Sequence, residues 1–206
     1  MATKCSQTCS VIVNKISQEN LFPTIVWTCE CDINLAPLIN YSFLLQQKNY
    51  GNQHSNIGGW QSTKFEVDEK LDPIFDPLIL KINSVVNEIA TEFNFRFPLK
   101  TFEFWININE EDNYNLNHTH PGSVLSGVFY LKTDGSGPLE FVMDRAEGFL
   151  WQSIIDSEKA PSITWPVARF APVENKMIVF PSWLEHNVLP CKSQRISIAF
   201  NAVFDL

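Results

Sequence analysis

From Pro98 to the C-terminus the chain reads as one strand after another, and this succession restricts its fold more than any other feature. Residues 101–109 alternate strictly, with Thr101, Glu103, Trp105, Asn107 and Asn109 on one face and Phe102, Phe104, Ile106 and Ile108 on the other, as expected where successive side chains point to opposite sides of a sheet. Residues 110–117 read as a polar loop, residues 124–131 as the next strand and residues 134–137 as a turn. Short strands are expected at 139–142, 162–169 and 176–180, with 194–204 as the last and longest. Residues 144–175 hold an irregular or helical excursion around 145–157. So many strands without interleaved helices exclude a βαβ arrangement and predict an antiparallel barrel or jelly roll with helices packed against it.

The region before Pro98 supplies those helices. Residues 1–20 are polar and irregular, and residues 21–27 form an expected edge strand entered through Pro23. A short helix is expected from Pro37 toward Gln47. The glycines and asparagines of residues 49–59 mark a loop in which His54 is a loop residue rather than a ligand. The clearest helix is expected over residues 71–93, where Ile82, Val85, Val86, Ile89 and Phe93 form one apolar stripe, with Lys81, Asn83, Asn87 and Glu88 largely opposite. No repeat or linker divides the chain, so residues 1–206 read as one domain: a strand and supporting helices in 1–100, the β core in 101–206.

Composition removes several functions. A net charge of −8 leaves no basic surface for nucleic acid. No apolar run approaches the ~20 residues that span a bilayer, and no secretory signal is recognisable, so a cytoplasmic protein is expected. Cys5, Cys9, Cys29 and Cys31 cluster early, but C-x3-C and C-x-C set apart by 19 residues is a poor zinc pattern, and scattered free thiols are the expected reading.

The chemistry concentrates later. His118 and His120 are two of only four histidines, one residue apart; His186 follows His120 by 66 residues and Arg195 follows by nine more. In an extended segment an H-x-H pair faces one way, and the same parity runs on to Ser126 and Tyr130. In the last strand Arg195, Ser197, Ala199 and Asn201 share a face, with Ile196, Ile198, Phe200 and Phe204 on the other. An arginine buried inside a barrel needs an anionic partner. A carboxylate ligand gripped by the Arg195 fork, with the Ser197 and Tyr130 hydroxyls, would meet that need.

Taken together, these residues resemble the Fe(II)- and 2-oxoglutarate-dependent oxygenases, closest to small members with an H-x-H-P-x-S-x-x-S-G-V-x-Y-L motif. The resemblance covers nearly the whole chain. It is carried by residues 21–24, Gly59-Trp60-Gln61-Ser62, Trp105-Ile106-Asn107, residues 118–131, residues 137–141, residues 180–186 and residues 195–201. It implies a mainly β fold with flanking helices, a double-stranded β-helix (a cupin-like jelly roll). It further implies Fe(II) held by His118 and His186, 2-oxoglutarate bound through Arg195 with Ser197 and Tyr130, and Asn107 in the pocket wall. The implied reaction is oxidative decarboxylation of 2-oxoglutarate with O2, coupled to hydroxylation of a substrate.

The sequence departs from that pattern at His120, which stands where the family's carboxylate ligand is expected. A three-histidine site would carry +2 with Fe(II) instead of +1, attracting the 2-oxoglutarate dianion more strongly and holding the metal less firmly. His120 is expected as the third ligand, the alternative being a position left vacant or to water. A three-histidine dioxygenase that does not use 2-oxoglutarate would leave Arg195 unexplained. A non-catalytic metal- or ligand-binding jelly roll is the alternative from another class. Residues 49–62 and 144–175, with Trp60, Trp151 and Trp165, are candidates for substrate contact. A homodimer stays open.

Overall fold

The computed structural model describes residues 24–68, 70–142 and 166–206. In chain order the elements are β1 (Trp27–Glu30), α1 (Leu35–Lys48), β2 (Asn56–Ile57), β3 (Trp60–Gln61), β4 (Phe65–Glu66), a 3-10 turn (Pro73–Phe75), α2 (Asp76–Glu92), β5 (Leu99–Asn109), β6 (Tyr114–His118), β7 (Leu125–Lys132), β8 (Leu139–Val142), β9 (Val167–Phe170), β10 (Lys176–Pro181), β11 (His186–Val188) and β12 (Arg195–Phe204). They build two antiparallel sheets. The larger has the order β1-β10-β7-β12-β5-β3, with β4 also on β5, and the smaller runs β2-β6-β11-β8-β9. This is the jelly roll that the strand succession predicts. No helix among the described residues is long and apolar enough to cross a membrane.

One face of the large sheet is closed by the helices. Leu78, Ile82, Val86 and Ile89 of α2 pack with Phe104, Ile106 and Ile108 of β5 and with Ile196, Ile198 and Phe200 of β12 in a continuous apolar core. Burying side chains of this size contributes roughly 1.5–3 kcal/mol each. Gly127 of β7 is required here, because a Cβ would lie 2.3 Å from Phe200 Cζ and 2.7 Å from the Ile178 carbonyl oxygen. The other face looks toward the small sheet. There Phe141, Phe180 and Leu184 fill one part of the sandwich, and a cavity occupies another.

Several expectations shift. α2 begins at Asp76 rather than 71, because Pro73 starts a 3-10 turn and Pro77 lies in the first turn of the helix proper. Phe93 is the C-cap and is exposed, edge-on to Trp27 at 5.4 Å. Asn83 and Asn87 do not face away from the sheet. Asn87 donates to the Leu99 carbonyl at 2.6 Å and accepts from the Leu99 N–H at 2.9 Å, while Asn83 Oδ1 accepts from the Thr101 N–H at 2.8 Å. Helix α1 begins two residues before Pro37, which the unpaired N–H groups of a first turn permit.

β5, not β12, is the longest strand, and its alternation breaks at Phe102. Opposite Asn201/Ala202 the pairing jumps from Glu103 to Thr101, so Phe102 bulges out and is exposed while Thr101 turns inward to Asn83. The polar loop after β5 is shorter than expected, because Tyr114–His118 is strand β6, paired with both β2 and β11. Of the expected strand at 21–27, only Trp27 lies in β1, which does sit at a sheet edge; residues 24–26 are outside any strand. Residues 21–23, Cys5, Cys9, Trp151, Trp165, residues 162–165 and the excursion around 145–157 lie outside the described residues.

Candidate metal centre

The register of the large sheet arranges its inner face in rows. Asn109 of β5 stands opposite Arg195 of β12. In the next row Asn107, Ser197 and Tyr130 lie side by side on β5, β12 and β7, followed by Trp105, Ala199 and Val128, and then by Glu103, Asn201 and Ser126. The alternation that buries Ile196, Ile198 and Phe200 under the helices therefore turns Arg195, Ser197 and Ala199 toward the cavity. That cavity, about 280 Å³, is lined by these three with Asn107, Tyr130, Trp105 and all of His118, His120 and His186. Every residue nominated for the metal or for 2-oxoglutarate borders the one space.

The histidines come from the other side. His118 ends β6 and His186 begins β11, and the two are direct partners across that ladder. His120 lies two residues beyond β6, outside any strand. The three rings each offer a nitrogen, and these atoms all lie within 4.8 Å of one another, an arrangement that could hold a metal ion. The His120 and His186 Nε2 atoms are 3.2 Å apart. Two nitrogens each about 2.1 Å from one ion would be about 3.0–3.4 Å apart for angles between octahedral and tetrahedral.

The protonation pattern suits ligation. His118 Nδ1 lies 2.7 Å from the Leu116 carbonyl oxygen and His186 Nδ1 lies 2.8 Å from that of Leu184. A carbonyl only accepts, so each Nδ1 carries the proton and donates it, leaving Nε2 with a free lone pair. Burial lowers the pKa of all three. His120 falls to about 3, with the charges of His186, His118 and Lys64 adding to the effect of burial, and His186 falls to about 4 through burial and then His118. Neutral imidazoles are the form that binds metal.

At the other end Arg195 is buried, and among the described residues no carboxylate pairs with it. Its Nη1 donates to the Gly137 carbonyl at 2.9 Å and its Nη2 to Asn109 Oδ1 at 3.3 Å. Its Nε and the Ser197 hydroxyl are buried without a partner among the described residues. Burial pushes the Tyr130 phenol up to about 12, against the pull of Arg195, so its hydroxyl stays protonated and can donate. Gly137 reaches this place at φ +65°, and a Cβ on it would meet Cys191 Sγ at 2.5 Å. A buried guanidinium with a hydroxyl and a phenol beside it is an arrangement that could receive a carboxylate.

His54 is a loop residue, as expected, outside the histidine cluster, but it does line the cavity with Ser55 and Gln61, all three from the stretch 49–62. Trp60 does not line it; it packs against the helix-side core and donates to the Asn49 carbonyl at 3.1 Å. Among the described residues Trp105 is the tryptophan at the site, 5.6 Å from the His120 ring. Ser126 faces inward but is engaged with Ser182 and Asn201. Sequence reasoning passed over Lys64 and Asn115 in the lining and Gly137 and Asn109 as partners of Arg195. Asn109 had a usable signal, since it shares the parity of Asn107; Lys64 had none, being brought in next to β4.

Residues 103–201 match the family described as "Putative 2OG-Fe(II) oxygenase". Over this span, just under half of the chain, the sequence is similar to that family. Solved structures carry the likeness further along the chain. A prolyl-4-hydroxylase from Pseudomonas putida superposes with a TM-score of 0.58 at 12% identity, covering 86% of this chain and 92% of its own. The viral collagen prolyl hydroxylase of Paramecium bursaria Chlorella virus-1, in its 2-oxoglutarate complex, gives 0.57 at 13% identity, covering 86% and 94%. HygX from Streptomyces hygroscopicus, with nickel and 2-oxoglutarate bound, gives 0.55 at 9% identity, covering 89% and 84%. At these identities the likeness is one of fold. No curated protein matches the sequence. That family's description names 2-oxoglutarate and Fe(II), and the donor set among the described residues suits both: three neutral imidazoles for the metal, and for the dianion a buried guanidinium with no carboxylate partner.

Proposed function

We propose that this chain is a 2-oxoglutarate-dependent Fe(II) oxygenase that binds Fe(II) through Nε2 of His118, His120 and His186, and binds 2-oxoglutarate with its far carboxylate on Arg195, Ser197 and Tyr130. The observation that carries this reading is the pairing, in one cavity, of a histidine cluster with a buried arginine that has no acid partner among the described residues. When bound, the metal and co-substrate supply the oxidising chemistry: 2-oxoglutarate and O2 become succinate and carbon dioxide as one oxygen atom is inserted into a substrate C–H bond.

The protein's own part is binding and orientation. The Leu116 and Leu184 carbonyls fix the tautomer and tilt of two ligands. The Gly137 carbonyl and Asn109 hold the guanidinium with Nε free to donate. Asn107, between Trp105 and Asn109 on the same strand face, walls the cavity. His120 replaces a charged ligand by a neutral one, which favours the dianion over the metal. The free thiols of Cys29, Cys31 and Cys191 fit a reducing compartment, for which we take the cytoplasm.

Anaerobic addition of Fe(II) and then 2-oxoglutarate tests the reading. A metal-to-ligand charge-transfer band in the visible, lost in Arg195→Ala and in His186→Ala, is expected. Metal binding without the band would instead mark a three-histidine enzyme that does not use 2-oxoglutarate. No metal binding would overturn the assignment.

A further inference from the structure

His120 is the ligand candidate with the least support from regular structure, yet one feature reaches it from deep in the large sheet. Its N–H donates to the Ser182 carbonyl at 2.9 Å. The Ser182 hydroxyl is buried and lies 3.0 Å from Ser126 Oγ, which lies 2.8 Å from Asn201 Oδ1; Asn201 Nδ2 lies 2.8 Å from Glu103 Oε1, and Lys64 Nζ lies 2.5 Å from that same oxygen. Ser126, Asn201 and Glu103 are one register row across β7, β12 and β5.

The direction of every bond in this row follows from its charged end. A carboxylate paired with Lys64 has no proton to give, so Asn201 turns its NH2 toward Glu103 and its oxygen toward Ser126. Ser126 has a single proton and gives it to that oxygen. It is left with lone pairs only, so the Ser182 hydroxyl must be the donor in their contact. The row therefore holds Ser182 in one orientation, and the Ser182 N–H, donating to the Val124 carbonyl at 3.2 Å, holds its main chain to the start of β7. The carbonyl aimed at His120 is fixed at both levels.

We propose that Ser182, Ser126, Asn201 and Glu103 form a positioning network that sets the place of His120, so that a polar row in the large sheet governs the third metal ligand on a turn. The inference rests on His120 being a ligand, as proposed above. It adds residues that touch neither metal nor substrate, and their role is to keep a ligand outside any strand as well placed as the two that a strand ladder pairs.

The test uses the full chain and Co(II), whose visible bands report the ligand set without turnover. Ser126→Ala and Ser182→Ala are compared with wild type and with Ser62→Ala. Ser62 is an equally buried serine that accepts from the Ile106 N–H at 3.0 Å and donates to the Thr63 carbonyl, apart from the row. Expected is a fall in Co(II) affinity of about tenfold, the lower end for lost outer-shell support, with altered visible bands in both network variants and neither change in Ser62→Ala. Ser126→Thr, which keeps the hydroxyl, should restore the bands. Far-UV circular dichroism checks the fold, and if one alanine variant does not fold the other decides. Unaltered affinity and bands in the network variants, or the same loss in Ser62→Ala, overturn the proposal. Absence of Co(II) binding in the wild type would overturn the metal-site reading instead.

Discussion

Nε2 of His120 lies 3.2 Å from Nε2 of His186, although His186 belongs to a strand and His120 to none. The separation is that of two donors sharing an ion, and burial holds both rings neutral without one. If His120 ligates, His120→Ala lowers Fe(II) affinity by more than about a hundredfold, beyond what losing outer-shell support alone costs. Calorimetric titration under anaerobic conditions measures it. An affinity within threefold of wild type would show that this position is left to water.

Arg195→Lys should separate charge from shape. Lysine keeps the cation but cannot serve Gly137, Asn109 and a carboxylate together, as the guanidinium does at 2.9 Å, at 3.3 Å and through its free Nε. Loss of one charged hydrogen bond, about 1.5–3 kcal/mol, predicts a 2-oxoglutarate dissociation constant raised by roughly ten- to hundredfold, with metal binding unchanged. An equal loss of metal binding would mean that the change had disturbed the fold.

Gly127→Ala should destabilise through the helix-side core rather than the cavity, because the new methyl would fall 2.3 Å from Phe200 and 2.7 Å from a main-chain oxygen. Overpacking of this kind costs about 1–3 kcal/mol. Adding Phe200→Leu should recover only part, since the ring is removed but the Ile178 carbonyl stays. Urea denaturation of the two variants checks both statements, and full recovery in the double variant would contradict the second.

Glu140 predicts how stability falls in acid. Burial works to raise its pKa, but hydrogen bonds from Asn187 and Arg169 prevail and the net shift is downward from 4.5. A carboxyl whose pKa is lower folded than unfolded stabilises the fold above the unfolded value and ceases to do so as pH falls through the folded one. Glu140→Gln should therefore flatten the decline of the melting temperature below about pH 4.5 while lowering it at neutral pH. An acid limb as steep as that of the wild type would remove Glu140 from the account.

The alternation that reads correctly from sequence is that of a strand buried on both faces. Arg195, Ser197 and Ala199 alternate with Ile196, Ile198 and Phe200 because β12 lies mid-sheet, with helices behind and the cavity in front. What stayed hidden depends on partners. Tyr114-Asn115-Leu116-Asn117-His118 is too polar to declare itself a strand, and it is one because β2 and β11 pair with it. The bulge at Phe102 inserts a residue that a count by twos cannot detect. Asn83 and Asn87 read as lying opposite the apolar stripe because nothing local reveals that the first strand residues of β5 need partners from α2. Pro73 and Pro77, by contrast, are visible in the sequence as marks of a helix start after residue 71.

The row register has a mechanical meaning. The small sheet and the turn after it carry the three histidines, whereas the large sheet carries Arg195, Ser197 and Tyr130. A metal ion alone would brace one wall of the sandwich. A metal with a chelating dianion would strap the two walls together, spanning space that elsewhere between the sheets is filled by Phe141, Phe180 and Leu184. The co-substrate would then act as the missing piece of a core as well as a reagent, and resistance to unfolding should rise most when both are present, beyond the sum of their separate effects.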